Sequence, residues 1–184
     1  MKKLIKDYVY HTTFDESISS ITNKVFDPDI KWESHYWADD YGKYVRNDDI
    51  GVIWQNGVGI GIELCENLKK YVKEYDEKII DKVLTDEIHN MSPIRFNRYF
   101  KNVKMDYHFD HIRTLFDGER KGIPVLSIVG LLNDDFSGGE FILNEETVPL
   151  KKNSLLIFPS NFLYIHGVNP IIKGVRYSFV TWVW

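Results

Sequence analysis

Beyond Pro93 the chain is cut into short runs: "IRFNRYF", "MDYHFDHI", "PVLSIVGLLN", "EFIL", "TVPL", "SLLIFP", "YIHGV" and "VRYSFVTWVW". Each is β-branched or aromatic, and each is bounded by turn residues. Asp117-Gly118, Ser137-Gly138-Gly139 and Lys173-Gly174 are the clearest of these turns. Eight such runs at close spacing predict strands of a sandwich or jelly roll.

The first half has a different texture. Phe14, Ile18, Ile21 and Val25 share one helical face, and Thr13 with Glu16 three positions on has the form of a capping box, so a short helix is expected there. From Ile62 to Ile80 apolar residues recur at three and four positions (Leu64, Leu68, Tyr71 or Val72, Tyr75, Ile79), which predicts a longer helix. "GVGIG" before it lacks nucleotide-loop spacing and reads as a turn. "DPDIKWESHYWADDYGKYVRNDD" shows neither period and reads as a long irregular loop; over 32–49 its aromatics Trp32, Tyr36, Trp37, Tyr41 and Tyr44 would suit a lid over a binding site. The expectation is one α+β domain over 1–184, in which 1–92 gives helical support and loop and 93–184 gives the β core. A chain of 184 residues is long enough for one such core and too short for two ordinary ones.

A formal charge of -4 without a Lys/Arg stripe disfavours nucleic acid as a partner. The single cysteine, Cys65, reads as a small buried hydrophobe. With no apolar leader in "MKKLIKDYVYHTTFDES" and no run approaching a membrane span, a cytoplasmic setting without membrane contact is expected.

Two polar residues interrupt the apolar texture of the strands. In "YHFDH" the side chains of His108 and Asp110, two positions apart, point to one side of an extended segment. A surface strand or a satisfied His-Asp pair would account for them alone. His166, inside the apolar "YIHGV", changes the weighing, because a jelly roll can bring its strand beside the first. Two imidazoles and a carboxylate make the facial set of non-haem iron oxygenases, although the same donors hold zinc. Arg176, ten residues later in an adjacent strand, could reach the same cavity, where a buried guanidinium needs an anionic partner. His11, His35, His89 and His111 have no evident partners and read as structural or surface.

The order His-x-Asp, "FSGGE", "IHGV" and "VRYSF", carried by "RYF…YHFDH", "LSIVGLLNDDFSGGEFIL" and "LLIFPS…IHGVNPIIKGVRYSFVTWVW", resembles the 2-oxoglutarate and Fe(II)-dependent dioxygenases, in particular their prolyl 4-hydroxylase-like branch. The likeness covers about Arg95 to Trp184. It implies a double-stranded β-helix, or jelly roll, with the N-terminal helices packed on one face. His108, Asp110 and His166 map onto the Fe(II) ligands, and Arg176 onto the group that binds the far carboxylate of 2-oxoglutarate. Tyr99 falls where the family often places a cosubstrate-binding tyrosine. The chain departs from some prolyl hydroxylases at "GLLN", where Leu131 stands for a hydroxyl-bearing residue; Ser178, on the Arg176 face, is the candidate replacement.

The resemblance further implies dioxygen as second cosubstrate, with ascorbate optional, and hydroxylation of an unactivated C–H bond, a prolyl residue in a peptide or protein leading. A free amino acid or other small molecule is the alternative acceptor. A non-catalytic metal- or sugar-binding jelly roll is the alternative of another class. Nucleic-acid demethylases of the same fold carry a second arginine six positions after the first, where this chain has Trp182.

Overall fold

Strict alternation along the strands sorts the side chains onto two faces. The computed structural model describes residues 4–38, 43–84, 90–110 and 124–184. Its strands are β1 (Tyr10–Thr13), β2 (Glu33–Ala38), β3 (Tyr44–Trp54), β4 (Arg95–Tyr99), β5 (Met105–His108), β6 (Leu126–Leu131) and β7 (Ser137–Gly138), then β8 (Phe141–Leu143), β9 (Glu146–Val148), β10 (Ser154–Pro159), β11 (His166–Val168), β12 (Ile171–Lys173) and β13 (Arg176–Val183). The helices are α1 (Glu16–Thr22) and α2 (Glu63–Lys78). A seven-stranded sheet runs β1-β10-β6-β13-β4-β3-β2, a four-stranded sheet runs β5-β11-β8-β9, and β12 pairs with β7, all antiparallel. Two antiparallel sheets of this order form the expected jelly roll.

One face of the large sheet is covered by helices. Phe96, Ile128, Leu155, Ile157, Phe179 and Val183 pack there against Phe14, Ile18, Leu64, Leu68 and Tyr75. Residues of the same strands one position away (Val129, Leu156, Phe158, Val180) turn the other way and meet Phe141, Leu143, Tyr164 and Val168 of the small-sheet side. β13 shows the division most clearly: Phe179 and Val183 face the helices, while Arg176, Ser178, Val180 and Trp182 line a cavity between the sheets. Every apolar side chain fully buried in this way contributes roughly 1.5–3 kcal/mol, so the helix-covered face is the main stabilising layer of the fold.

Three expectations are corrected. The stretch read as an irregular loop contains the β2–β3 hairpin on the margin of the large sheet. Asn47-Asp48-Asp49 inside β3, residue types depleted in strands, and a register break between Ser34 and His35 hid the strand period. The half expected to supply only helices and loop also gives β1, β2 and β3 to the sheet. The first helix is capped by Asp15, whose carboxylate accepts from the Ile18 N–H; Thr13 is held instead in the ladder of β1, opposite Ser154. The expected Asp117-Gly118 turn, and His89, His111 and Tyr41, lie outside the described residues. Among the described residues no helix is long and apolar enough to cross a membrane.

Candidate active site

β5 and β11 are neighbours in the small sheet, and their register places His108 directly across from His166. The rings lie 4.4 Å apart, centroid to centroid. β5 ends at His108, so Asp110 follows the strand rather than lying in it, a correction to the extended segment read from the sequence. Asp110 still turns back to the pair: Oδ1 is 3.5 Å from His108 Nε2, and Oδ2 is 3.7 Å from His166 Nε2. One donor atom from each of the three residues lies within 4.8 Å of the others.

The imidazoles are oriented by their own backbone. His108 Nδ1 is 2.8 Å from the Asp106 carbonyl and His166 Nδ1 is 3.0 Å from that of Tyr164. A carbonyl can only accept, so each Nδ1 carries the proton and each Nε2 presents its lone pair toward Asp110. Asp110 is oriented in turn by Ser127, whose hydroxyl donates to Oδ2 at 2.5 Å and also meets Ser160 Oγ at 2.9 Å. Burial opposes the charge on Asp110, but the attraction of the His108 and His166 imidazoles once they gain a proton at Nε2, together with the Ser127 hydroxyl, outweighs it and holds the carboxyl well below the usual range. Burial lowers His166, while at His108 the Asp110 carboxylate overcomes burial and raises the imidazole. Two lone pairs and an ionised carboxylate converging in one buried corner fit a divalent first-row metal by donor chemistry.

Arg176 reaches the cavity from the facing large sheet, not from a strand adjacent to His166 as its spacing suggested. It is 1% exposed. One guanidinium nitrogen donates to Ser178 Oγ at 2.8 Å, Nε has no partner, and the charge lies over the Tyr99 ring at 5.4 Å. Among the described residues no carboxylate forms an ion pair with it. A buried cation left in this way fits a dicarboxylate bound from outside the chain. Ser178 is the cross-strand partner of Leu131 and Tyr99 that of Arg176, so Tyr99, Arg176 and Ser178 come to the same place. The double glycine has a steric role here. Gly139 has φ +66°, and a Cβ on it would lie 3.1 Å from the Arg176 stem and 2.4 Å from Ile171.

Thus His108, Asp110, His166, Arg176, Tyr99 and Ser178 share one cavity. The sequence reading missed Arg95, Asn97 and Ser127, and set aside His35, which is buried and accepts from Arg95 at 3.2 Å. The missed signal was alternation: Arg95, Asn97 and Tyr99 occupy one face of β4, as His108 and Asp110 share a side. Trp182, left open between wall and core, lines the cavity. His11 is an exposed strand residue 3.3 Å from Ser154 Oγ, and the Cys65 thiol is buried beside Gln55 and Ser92.

Comparison with known proteins agrees with this geometry. The 2OG-Fe(II) oxygenase superfamily pattern matches residues 94–184. A PKHD-type hydroxylase of Idiomarina loihiensis is 32% identical over 94 residues, 49% of this chain and 41% of its own. One from Pseudomonas aeruginosa is 30% identical over 97 residues, 49% of this chain and 42% of its own. The matches therefore span less than half the length of these relatives. A solved structure, a Pseudomonas putida prolyl-4-hydroxylase, superposes with a TM-score of 0.63 over 97% of this chain and 95% of its own at 18% identity, a likeness of fold. With the iron-type donor set, the anion-seeking arginine and ten of the thirteen described strands on the matched stretch, residues 94–184 belong to the 2OG-Fe(II) oxygenase superfamily, whose metal is Fe(II) and whose cosubstrates are 2-oxoglutarate and dioxygen.

Proposed function

We propose that the chain is an Fe(II)- and 2-oxoglutarate-dependent dioxygenase that hydroxylates an unactivated C–H bond, with a prolyl residue of a peptide or protein as the leading acceptor. The observation that carries this reading is the placement, in one cavity, of the His108–Asp110–His166 cluster and a buried Arg176 without an anionic partner among the described residues. His108, Asp110 and His166 would hold the metal, and Arg176, steadied by Ser178, would hold the far carboxylate of 2-oxoglutarate, with Tyr99 closing that end. Bound there, the iron and 2-oxoglutarate supply the oxidising chemistry for inserting an oxygen atom into a C–H bond.

The chain's own contribution is placement. Backbone carbonyls fix both imidazoles and Ser127 fixes the carboxylate, so the donor set is formed before anything binds. Val129, Phe141, Val168 and Val180 keep water from the space between the sheets. Hydroxylation is supported by the names of the relatives, and the prolyl acceptor by the name of the solved neighbour. Succinate release with Fe(II) and 2-oxoglutarate tests the reading against proline-containing peptides and free amino acids. Peptide-stimulated succinate formation that disappears in Asp110→Ala is expected. Stimulation by free amino acids alone would move the acceptor to the small-molecule class, and no 2-oxoglutarate consumption under any condition would leave a metal-binding module.

A further inference from the structure

At the opposite end of the cavity from Arg176 lies a second arginine that the metal and cosubstrate do not use. In the β4–β13 register Tyr99 stands across from Arg176, but Arg95 stands across from Val180. The two arginines are thus separated by four strand positions, roughly 13 Å. A five-carbon dicarboxylate anchored at Arg176, with its other end at the metal, does not extend to both.

Arg95 is poorly compensated where it sits. Its Nε is enclosed without a hydrogen-bond partner, and one terminal nitrogen donates to the neutral Nε2 of His35. Its guanidinium stacks over the Trp182 ring at 5.3 Å, and Trp182 Nε1 is itself enclosed and unpartnered. Among the described residues no carboxylate is within ion-pair distance. Asp110 acts on Arg95 only through space, beyond ion-pair distance, and is itself held by Ser127 between the two histidines. A neutral imidazole and an aromatic face satisfy geometry but not charge, and a half-buried cation whose Nε is enclosed and unpartnered favours an arriving anion. Arg95 and Trp182 together offer two unused N–H donors at one end of the cavity, a pattern complementary to a carboxylate. The margin strand β2 reinforces it, because His35 both accepts from Arg95 and stacks with Trp37 at 5.7 Å.

We propose that Arg95, braced by His35 and flanked by Trp182, receives a carboxylate of the acceptor, so that the enzyme selects acidic substrates. The inference rests on the oxygenase reading above and names its substrate class. The carboxylate is that of a free amino acid or of an acidic side chain beside the target residue in a peptide.

The test is calorimetric binding to the full chain loaded with Mn(II) and 2-oxoglutarate, using acid and amide pairs: L-proline against L-prolinamide, and a blocked Gly-Pro-Glu peptide against its Gly-Pro-Gln counterpart. The acid of at least one pair should bind about tenfold or more tightly than its amide, as for a desolvated charged hydrogen bond. The pair that shows the preference identifies the source of the carboxylate. Arg95→Gln should abolish the preference, Arg95→Lys should restore part of it, and 2-oxoglutarate affinity should stay unchanged in both. Equal affinity for acid and amide in both pairs, or a preference surviving Arg95→Gln, overturns the proposal. Loss of 2-oxoglutarate binding in Arg95→Gln assigns the residue to the cosubstrate and overturns it too. If the parent protein with Mn(II) binds no 2-oxoglutarate, the oxygenase reading itself falls, and that result is distinct from a failure at Arg95.

Discussion

Ser127 has no contact with the cosubstrate end of the cavity, yet it donates to the Asp110 oxygen that faces His166. Ser127→Ala should weaken Mn(II) or Fe(II) binding by about 10–100-fold, the usual consequence of removing a group that orients a ligand, while leaving the fold intact; calorimetric metal titration measures it. Arg176 makes the opposite kind of prediction. Its charge is buried without an anion in the free chain, so Arg176→Met should lose 2-oxoglutarate binding yet unfold in urea at the same midpoint or a higher one, with a gain of up to about 4 kcal/mol. A large fall in the midpoint would mean that the arginine serves structure. The triad and Arg176 were legible because polar residues in apolar strands stand out. Arg95 and Asn97 were not, because "IRFNRYF" places them among equally polar or aromatic neighbours and only the pairing with β13 shows which face is enclosed.

Among the elements, β6 and β13 lie side by side in the large sheet, and Gly130 faces Phe179 across the ladder. A Cβ at Gly130 would lie 2.1 Å from the Phe179 ring, far inside contact distance. Gly130→Ala should therefore destabilise by about 1–3 kcal/mol through overpacking, seen as a lower melting temperature. Eight of the ten strands beyond Pro93 and both helices were readable from their apolar positions, while β7 and β12, which pair with each other, fall on stretches that carry the Ser137-Gly138 and Lys173-Gly174 turn signals. The hairpin was not. Its strands lie at the sheet margin, one carries acids where a register break relieves the pleat, and His35, the residue that turns inward, is followed by the exposed Tyr36 and Trp37. Of the stretch expected as a lid, 33–38 and 44–49 lie in β2 and β3, which pair with each other on the sheet margin. Trp32 packs away from the metal cluster, against Tyr177 and Arg98.

For the whole molecule, His35 links stability to pH. Burial, Arg95 and His108 push its pKa down to about 4 from an ordinary 6.5. Between these values the unfolded chain binds the extra proton and the folded chain does not, so stability rises with pH. The contribution is full above 6.5 and is lost as pH falls through 4. With solvent screening allowed for, it amounts to at most about 2 kcal/mol. Urea midpoints measured from pH 7 to pH 4 should fall in the parent protein and fall less in His35→Gln; equal slopes would remove His35 as the source.

Both margins of the large sheet, β1 and β2, come from the first half of the chain, while four of its inner strands come from the second. Tyr10 must find Ile157 and Thr13 must find Ser154 before the β1 margin is sealed. The stretch shared with the superfamily is therefore not expected to fold on its own. Made alone, 94–184 would leave the ladders of β4 and β10 open and the helix-facing layer around Phe179 in water, which is a template for edge-to-edge association. It should be recovered as aggregate and become soluble when 1–93 is supplied as a separate polypeptide during refolding. On the ribosome the same arrangement makes the chain a late folder: β1 and β3 emerge before their partners β10 and β4 are made, and His108, Asp110, His166 and Arg176 come together only once β11 and β13 have followed.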